Sequence, residues 1–159
     1  SGMRAGYLCG SPRLIGEVRR HTPPWEVSLP AQIAVVRTLG ERDYYCARWK
    51  ETAVLRERLA DSLMRLGLKV VEGTANFLLV HLTGVNTDAQ QIIEACRSRG
   101  LYLRDLSSLD SNLGRTAFRI AVKSAEFNER MISVLEESLR RVSISAPGRE
   151  TDRLPVTTG

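Results

Sequence analysis

Thr116-Ala117-Phe118-Arg119-Ile120-Ala121-Val122 reads as a β-strand with two unlike faces. Successive side chains of a strand point to opposite sides. Phe118, Ile120 and Val122 therefore form an apolar face suited to a core, and Ala117, Arg119 and Ala121 form the other. Two alanines beside an arginine leave space next to the guanidinium. Such a space suits a bidentate carboxylate contact, a charge-assisted bond worth roughly 1.5–3 kcal/mol. An arginine on a solvated sheet face, or one paired with a structural acid, has the same pattern, and on pattern alone that plainer reading leads. Upstream, Leu101-Tyr102-Leu103-Arg104 reads as a second strand, in which Tyr102 and Arg104 share a face opposite Leu101 and Leu103. If the two strands pair across the polar stretch 105–115, Arg104 and Arg119 face one site. Two arginines on one site suit a dianion, one taking a carboxylate and the other a phosphate. The plain alternative for Arg104 is a surface pair with Asp105, of little energetic weight.

Outward from these strands the chain reads as helices and short strands. Tyr7-Leu8-Cys9 is a strand end. Ser11-Pro12 is an N-cap with proline at the first helical position, opening a helix to about Arg20. His21-Thr22-Pro23-Pro24 breaks it. A second helix runs from near Ser28 to Gly40 and buries Ile33 and Val36. Glu41 to about Leu66 is one long helix, with Leu55, Leu59, Leu63 and Leu66 at helical spacing and Gly67 as its stop. Tyr44, Tyr45 and Trp49 are expected to pack on the preceding helix. Residues 69–72 and 75–80 are strands around Gly73. Thr87-Asp88-Ala89-Gln90 opens a helix that ends at Gly100. Ser124 caps a last helix, with Phe127, Met131, Val134 and Leu135 on its buried face. From Ser143 to Gly159 periodicity is lost, which predicts a mobile tail.

The order α-α-α, then β-β-α-β-β-α, predicts an α+β fold: a helical arm, then a small antiparallel-rich sheet with helices on one face. The expected divisions are a helical arm at 1–40, an α+β domain at 41–141 and a tail at 142–159.

Composition narrows the function classes. The 159 residues suffice for one sizeable core, and the hydrophobic fraction of 43% is that of a soluble globular protein. No apolar run approaches the ~20 residues that span a bilayer. The net charge of +5 rests mostly on arginine, with lysine only at 50, 69 and 123. The arginines are scattered, with no dense stripe and few interleaved aromatics, so a nucleic-acid partner ranks last. Cys9, Cys46 and Cys96 are odd in number and widely spaced, and His21 and His81 have no second ligand candidate nearby. A disulfide framework and a zinc site are therefore not expected, and no metal ligand is assigned. Three unpaired thiols, read as buried hydrophobes, fit a reducing cytoplasm. Motifs of serine hydrolases, P-loop proteins and zinc proteases are absent.

Several short segments occur in a telling order: Gly2-Met3-Arg4-Ala5-Gly6, Pro23-Pro24-Trp25, Ala75-Asn76-Phe77, Leu103-Arg104-Asp105 and Phe118-Arg119-Ile120-Ala121-Val122. Together they resemble the C-terminal part of a class I/II, fold-type I aminotransferase dependent on pyridoxal phosphate. The closest branch resembles histidinol-phosphate aminotransferase and threonine-phosphate decarboxylase. The resemblance covers nearly all of 2–141. It implies that this region is the family's small domain, with an arm crossing from the large domain. It also implies that Arg119 grips the substrate α-carboxylate, Arg104 the substrate phosphate and Arg4 the cofactor phosphate. Pro23-Pro24-Trp25 is read first as a rigid turn with a packed aromatic, and only then as site lining.

The same resemblance puts the cofactor-bearing lysine a few residues before the glycine-arginine segment. None of Lys50, Lys69 and Lys123 has that context. No residue here is therefore assigned a catalytic role. The isolated chain is expected to be inactive and to bind no cofactor, as a piece of a longer homo-oligomeric enzyme or as a short product. Its rival is a stand-alone, non-catalytic α+β module that binds a small anion or a protein partner.

Overall fold

The computed structural model describes residues 2–83 and 88–145. The chain divides into two compact units, 1–49 and 50–159.

In the first unit, α1 (Pro12–Arg20) begins where the sequence predicts: Ser11 is the N-cap and its Oγ accepts from Leu14 N at 3.4 Å. Then α2 (Leu29–Gly40) follows N-cap Ser28. Several expectations fail in this unit. Tyr7-Leu8-Cys9 forms no strand, and Tyr7 is 94% exposed. Ile33 and Val36 are exposed and only Ala31 of α2 is buried, because nothing within 1–49 covers that stripe. Trp25 does not pack: it is 96% exposed at φ 59°. Tyr44 and Trp49 are exposed as well; their ring–ring contacts are with Tyr45, at centroid distances of 5.2 and 6.5 Å, and the Arg48 guanidinium lies 5.9 Å from the Tyr44 ring centroid.

The 24-residue helix α3 (Arg42–Arg65) leads into the second unit. It buries Leu59 and Leu63. Gly67 at φ +80° ends it, with Gly67 N donating to Met64 O and Leu68 N to Leu63 O. That left-handed turn favours glycine and satisfies two orphan carbonyls. Then come β1 (Lys69–Val71), β2 (Phe77–His81) and α4 (Ala89–Arg97), whose N-cap Asp88 accepts from Gln90 N. Thr87 lies outside the described residues.

β3 is only Arg104–Asp105, shorter and later than the strand predicted at 101–104. It is followed by α5 (Ser111–Thr116), β4 (Ala117–Ala121) and α6 (Ala125–Ser145). The sheet order is β1-β2-β4-β3, antiparallel throughout. Leu78, Val80, Phe118 and Ile120 share one sheet face. They form a single core with Leu59 and Leu63 of α3, Ile92, Ile93 and Cys96 of α4, and Leu135 of α6. This is the expected α+β arrangement, with helices on one face.

Burial keeps the Cys96 thiol above its ordinary pKa and hence protonated, so it acts as a core hydrophobe. Cys9 differs from expectation in being exposed. The turn into α6 is held by Asn128, which is 7% exposed. Its Oδ1 accepts from Lys123 N at 2.9 Å and its Nδ2 donates to Lys123 O at 3.1 Å. Phe127, expected in the core, is 58% exposed.

The short α5 was not predicted. Six residues carry too little periodicity, and Gly114 inside them argues against a helix. Its N-cap Asp110 accepts from Leu113 N at 2.9 Å. Gly114 is there for space. A Cβ on it would lie 2.5 Å from Ser107 N and 2.7 Å from Ser107 Cβ. Gly114→Ala should therefore cost about 1–3 kcal/mol in urea unfolding, through overpacking against backbone. Gly73→Ala, with open space around its Cβ, should stay within about 0.5 kcal/mol of the parent.

Candidate functional site

The register of the last two strands builds the site. Arg104 on β3 stands directly across from Arg119 on β4, and Leu79 on β2 is the other neighbour of Arg119. Directly opposed residues point to the same side of a sheet. The two arginines thus share the face opposite the core, as their strand positions predict. Both are exposed.

Each arginine has its own support. The Arg119 guanidinium lies 4.4 Å from the centroid of the Phe77 ring. Phe77 pairs with Ala121 and is therefore the diagonal neighbour of Arg119. A cation over a ring at an exposed site is worth roughly 0.5–1 kcal/mol and limits where the guanidinium swings. Of the two alanines expected to leave space, only Ala121 is exposed. Ala117 is fully buried where α5 runs into β4. The open side of Arg119 is therefore the Ala121 side.

The position of Arg104 is set by the residue after it. Asp105 lies on the opposite face, paired with Phe118. Its Oδ1 accepts from Gln90 Nε2 and from Ser107 N, and its Oδ2 accepts from Ser107 Oγ, all at 2.8 Å. The Asp105 carboxylate is thus committed to the Ser107 turn and the first turn of α4, and an Arg104–Asp105 pair does not form. Among the described residues no carboxylate reaches either arginine. This latch was legible only as Asp-x-Ser, a turn signal. Nothing in the sequence tied it to Gln90.

The result is a like-charge pair held in register with no counter-ion among the described residues. Like charges directly opposite cost roughly 0.2–1 kcal/mol. An anion bridging both guanidinium groups would reverse that cost. Arg4, in the unit 1–49, is exposed at φ 55°, a left-handed conformation that is uncommon for a residue with a side chain. A Cβ on Gly2 or Gly6 would meet nothing within 4 Å, so the backbone around Arg4 is open to an approaching anion. Among the described residues no three His, Cys, Asp or Glu side chains gather as a metal site, and no helix is long and apolar enough to cross a membrane.

Two measurements test this geometry. Arg104→Gln should raise the free energy of unfolding by a few tenths to about 1 kcal/mol at low salt. The gain should shrink in ~1 M salt, where screening acts over about 3 Å; a loss at low salt would contradict the pairing. Asp105 is held below the ordinary carboxylate range, first by Ser107 N–H, then by Ser107 O–H, with Gln90 adding to it. The sign follows from the lowered folded value. The stabilisation is present above the unfolded pKa of about 4 and is lost as pH falls through the folded one. Asp105→Asn should therefore flatten the fall in stability below about pH 4; an unchanged acid limb would separate Asp105 from it.

The chain matches the family model of aminotransferase class I and II over residues 1–136. It is 28% identical over 138 residues to histidinol-phosphate aminotransferase of Methanosphaera stadtmanae, covering 86% of this chain and 37% of that protein. It is 32% identical over 139 residues to histidinol-phosphate aminotransferase 1 of Carboxydothermus hydrogenoformans, covering 87% and 38%. The crystal structure of histidinol-phosphate aminotransferase from Clostridium acetobutylicum superposes with a TM-score of 0.68 at 18% identity, over 81% of this chain and 38% of that one, a likeness of fold. The chain thus spans little more than a third of the length of the curated relatives it matches. On these grounds, and with the small antiparallel sheet its strands form, the chain belongs to the class I and II aminotransferase family.

Proposed function

We propose that this chain is the C-terminal, substrate-gripping portion of a pyridoxal-phosphate enzyme, an aminotransferase or decarboxylase acting on a phosphorylated amino acid or amino alcohol. The observation that carries this reading is the cross-strand Arg104–Arg119 pair, exposed on one face and without a described counter-ion. A substrate with two anionic groups supplies the missing charge at both positions. Arg119, steadied by Phe77, orients the carboxylate where the substrate has one, and Arg104 takes the phosphate. Planar guanidinium groups suit both.

Arg4 binds the cofactor phosphate. Its open, glycine-flanked backbone fits that group. When bound, pyridoxal phosphate supplies the electron sink for chemistry at the substrate α-carbon. The residues of this chain bind and orient. Lys50, Lys69 and Lys123 are all exposed, on a helix, an edge strand and a strand-to-helix turn. None of them holds the cofactor, and the chain by itself does not catalyse. In this reading residues 1–40 are the arm and remnant of a large domain and residues 41–141 are the small domain, whose last helix runs on to Ser145; the tail expected at 142–159 lies, beyond that helix, outside the described residues. The complete enzyme is a cytoplasmic homo-oligomer that uses neither nucleic acid nor membrane.

Calorimetry with O-phospho-L-threonine against L-threonine tests the proposal. The phosphorylated ligand should bind about tenfold tighter or better. Arg104→Ala should erase that preference, and Arg119→Ala should weaken both ligands. Equal affinity for the two in the unaltered chain would sink the reading. So would labelling of a single lysine by pyridoxal phosphate and borohydride at one equivalent.

A further inference from the structure

A cavity of about 260 Å³ lies between α6, the end of β4 and the segment 99–102. Neither Arg104 nor Arg119 lines it. Its existence follows from the short β3. That strand pairs only with Phe118 and Arg119, so the next stretch of β4, Ile120–Ala121, has no strand on that side. Residues 99–102 pass by without closing the gap.

The lining is divided by chemistry. Leu101, Ile120, Met131 and Val134 supply apolar surface, and Phe127 and Tyr102 supply two rings that are 58% and 77% exposed. The charged lining residues are all cations: Arg99, Lys123 and Arg130. Arg99 is already bridged to Glu137 at 3.0 Å. Among the described residues no carboxylate lies within ion-pair distance of Lys123 or Arg130. Phe127 also explains itself here. Its spacing from Met131 puts it on the core stripe of α6, and the cavity is what leaves it uncovered.

We infer that this cavity is a second ligand site, for a small amphipathic organic anion with an aromatic or compact apolar body and one carboxylate or similar group. The apolar body lies against Met131, Val134 and Phe127, and the anionic group meets Lys123 and Arg130 at the rim. The volume falls just below the roughly 300–1,000 Å³ of sites for drug-sized molecules, so the ligand is small. Aromatic walls favour a flat body. A wholly cationic rim selects against neutral and cationic analogues.

The probe is 3-phenylpropionate, titrated into the isotopically labelled full chain and followed by amide chemical shifts, with neutral 3-phenylpropanol in parallel. The expected result is saturable shifts at Gly100, Ala121 and Met131 for the acid, with the alcohol at least about tenfold weaker. Lys123→Gln with Arg130→Gln changes two exposed side chains. It should weaken the acid about tenfold or more and leave the alcohol unaffected. Met131→Trp should fill the cavity and abolish binding; should it unfold the chain, the rim variant still decides. Equal binding of acid and alcohol would overturn the inference, as would shifts confined to residues 1–49 or to Arg104 and Arg119. No saturable shift up to roughly 10 mM would also overturn it. The O-phosphothreonine experiment reads other residues, so either proposal can fail alone.

Discussion

The site depends on one constraint, the register that sets Arg104 opposite Arg119. β3 is two residues long and has little pairing of its own to hold that register. It is held from outside the sheet. Asp105 accepts from Ser107 N, Ser107 Oγ and Gln90 Nε2, which ties the strand to its following turn and to the start of α4. Gly114 then lets α5 lie against the Ser107 backbone where any side chain would collide. A one-residue slip would move Arg104 to the core face and Asp105 to the arginine face. The core face, filled by Phe118 and Ile120, cannot accept an unpaired charge. The register is thereby fixed from both sides of the sheet.

Holding two cations in register has a cost, and the fold offsets part of it. Both guanidinium groups remain in water, where like-charge repulsion amounts to a fraction of a kcal/mol to about 1 kcal/mol. The Phe77 ring returns a similar amount to Arg119. The balance is small compared with the stability of a domain, so the fold tolerates the pair, and the proposed anion would meet two cations already in register. Preorganisation of this kind lowers the ordering cost of binding. It also divides the labour, since Arg119 is steadied by a ring and Arg104 is positioned only through Asp105.

Much of the second unit could be read from its residues. The alternation in 117–121 predicted the face of Arg119, the Tyr102 and Arg104 parity survived, and Gly67 stopped α3 as proposed. The failures have a common cause. Ile33, Val36, Trp25 and Phe127 are apolar residues for which the sequence implies burial, and each is exposed. A pattern states which residues can be buried, whereas a neighbour has to be present to bury them. The opposite failure, α5, arose because a glycine that weakens a helix locally is required by a contact from elsewhere in the chain.

The sequence by itself determined the periodicities, the cap at Ser11, the antiparallel α+β order and the two arginines as candidates. These are local properties, set by backbone geometry and by side chains a few residues apart. Tertiary structure alone decided that Asp105 serves Ser107 and Gln90 rather than Arg104, that Phe77 underlies Arg119, and that a cavity opens beside α6. Those outcomes depend on which distant atoms arrive within a few ångströms of one another. Only the folded chain, with its core closed over Phe118 and Ile120, sets such distances.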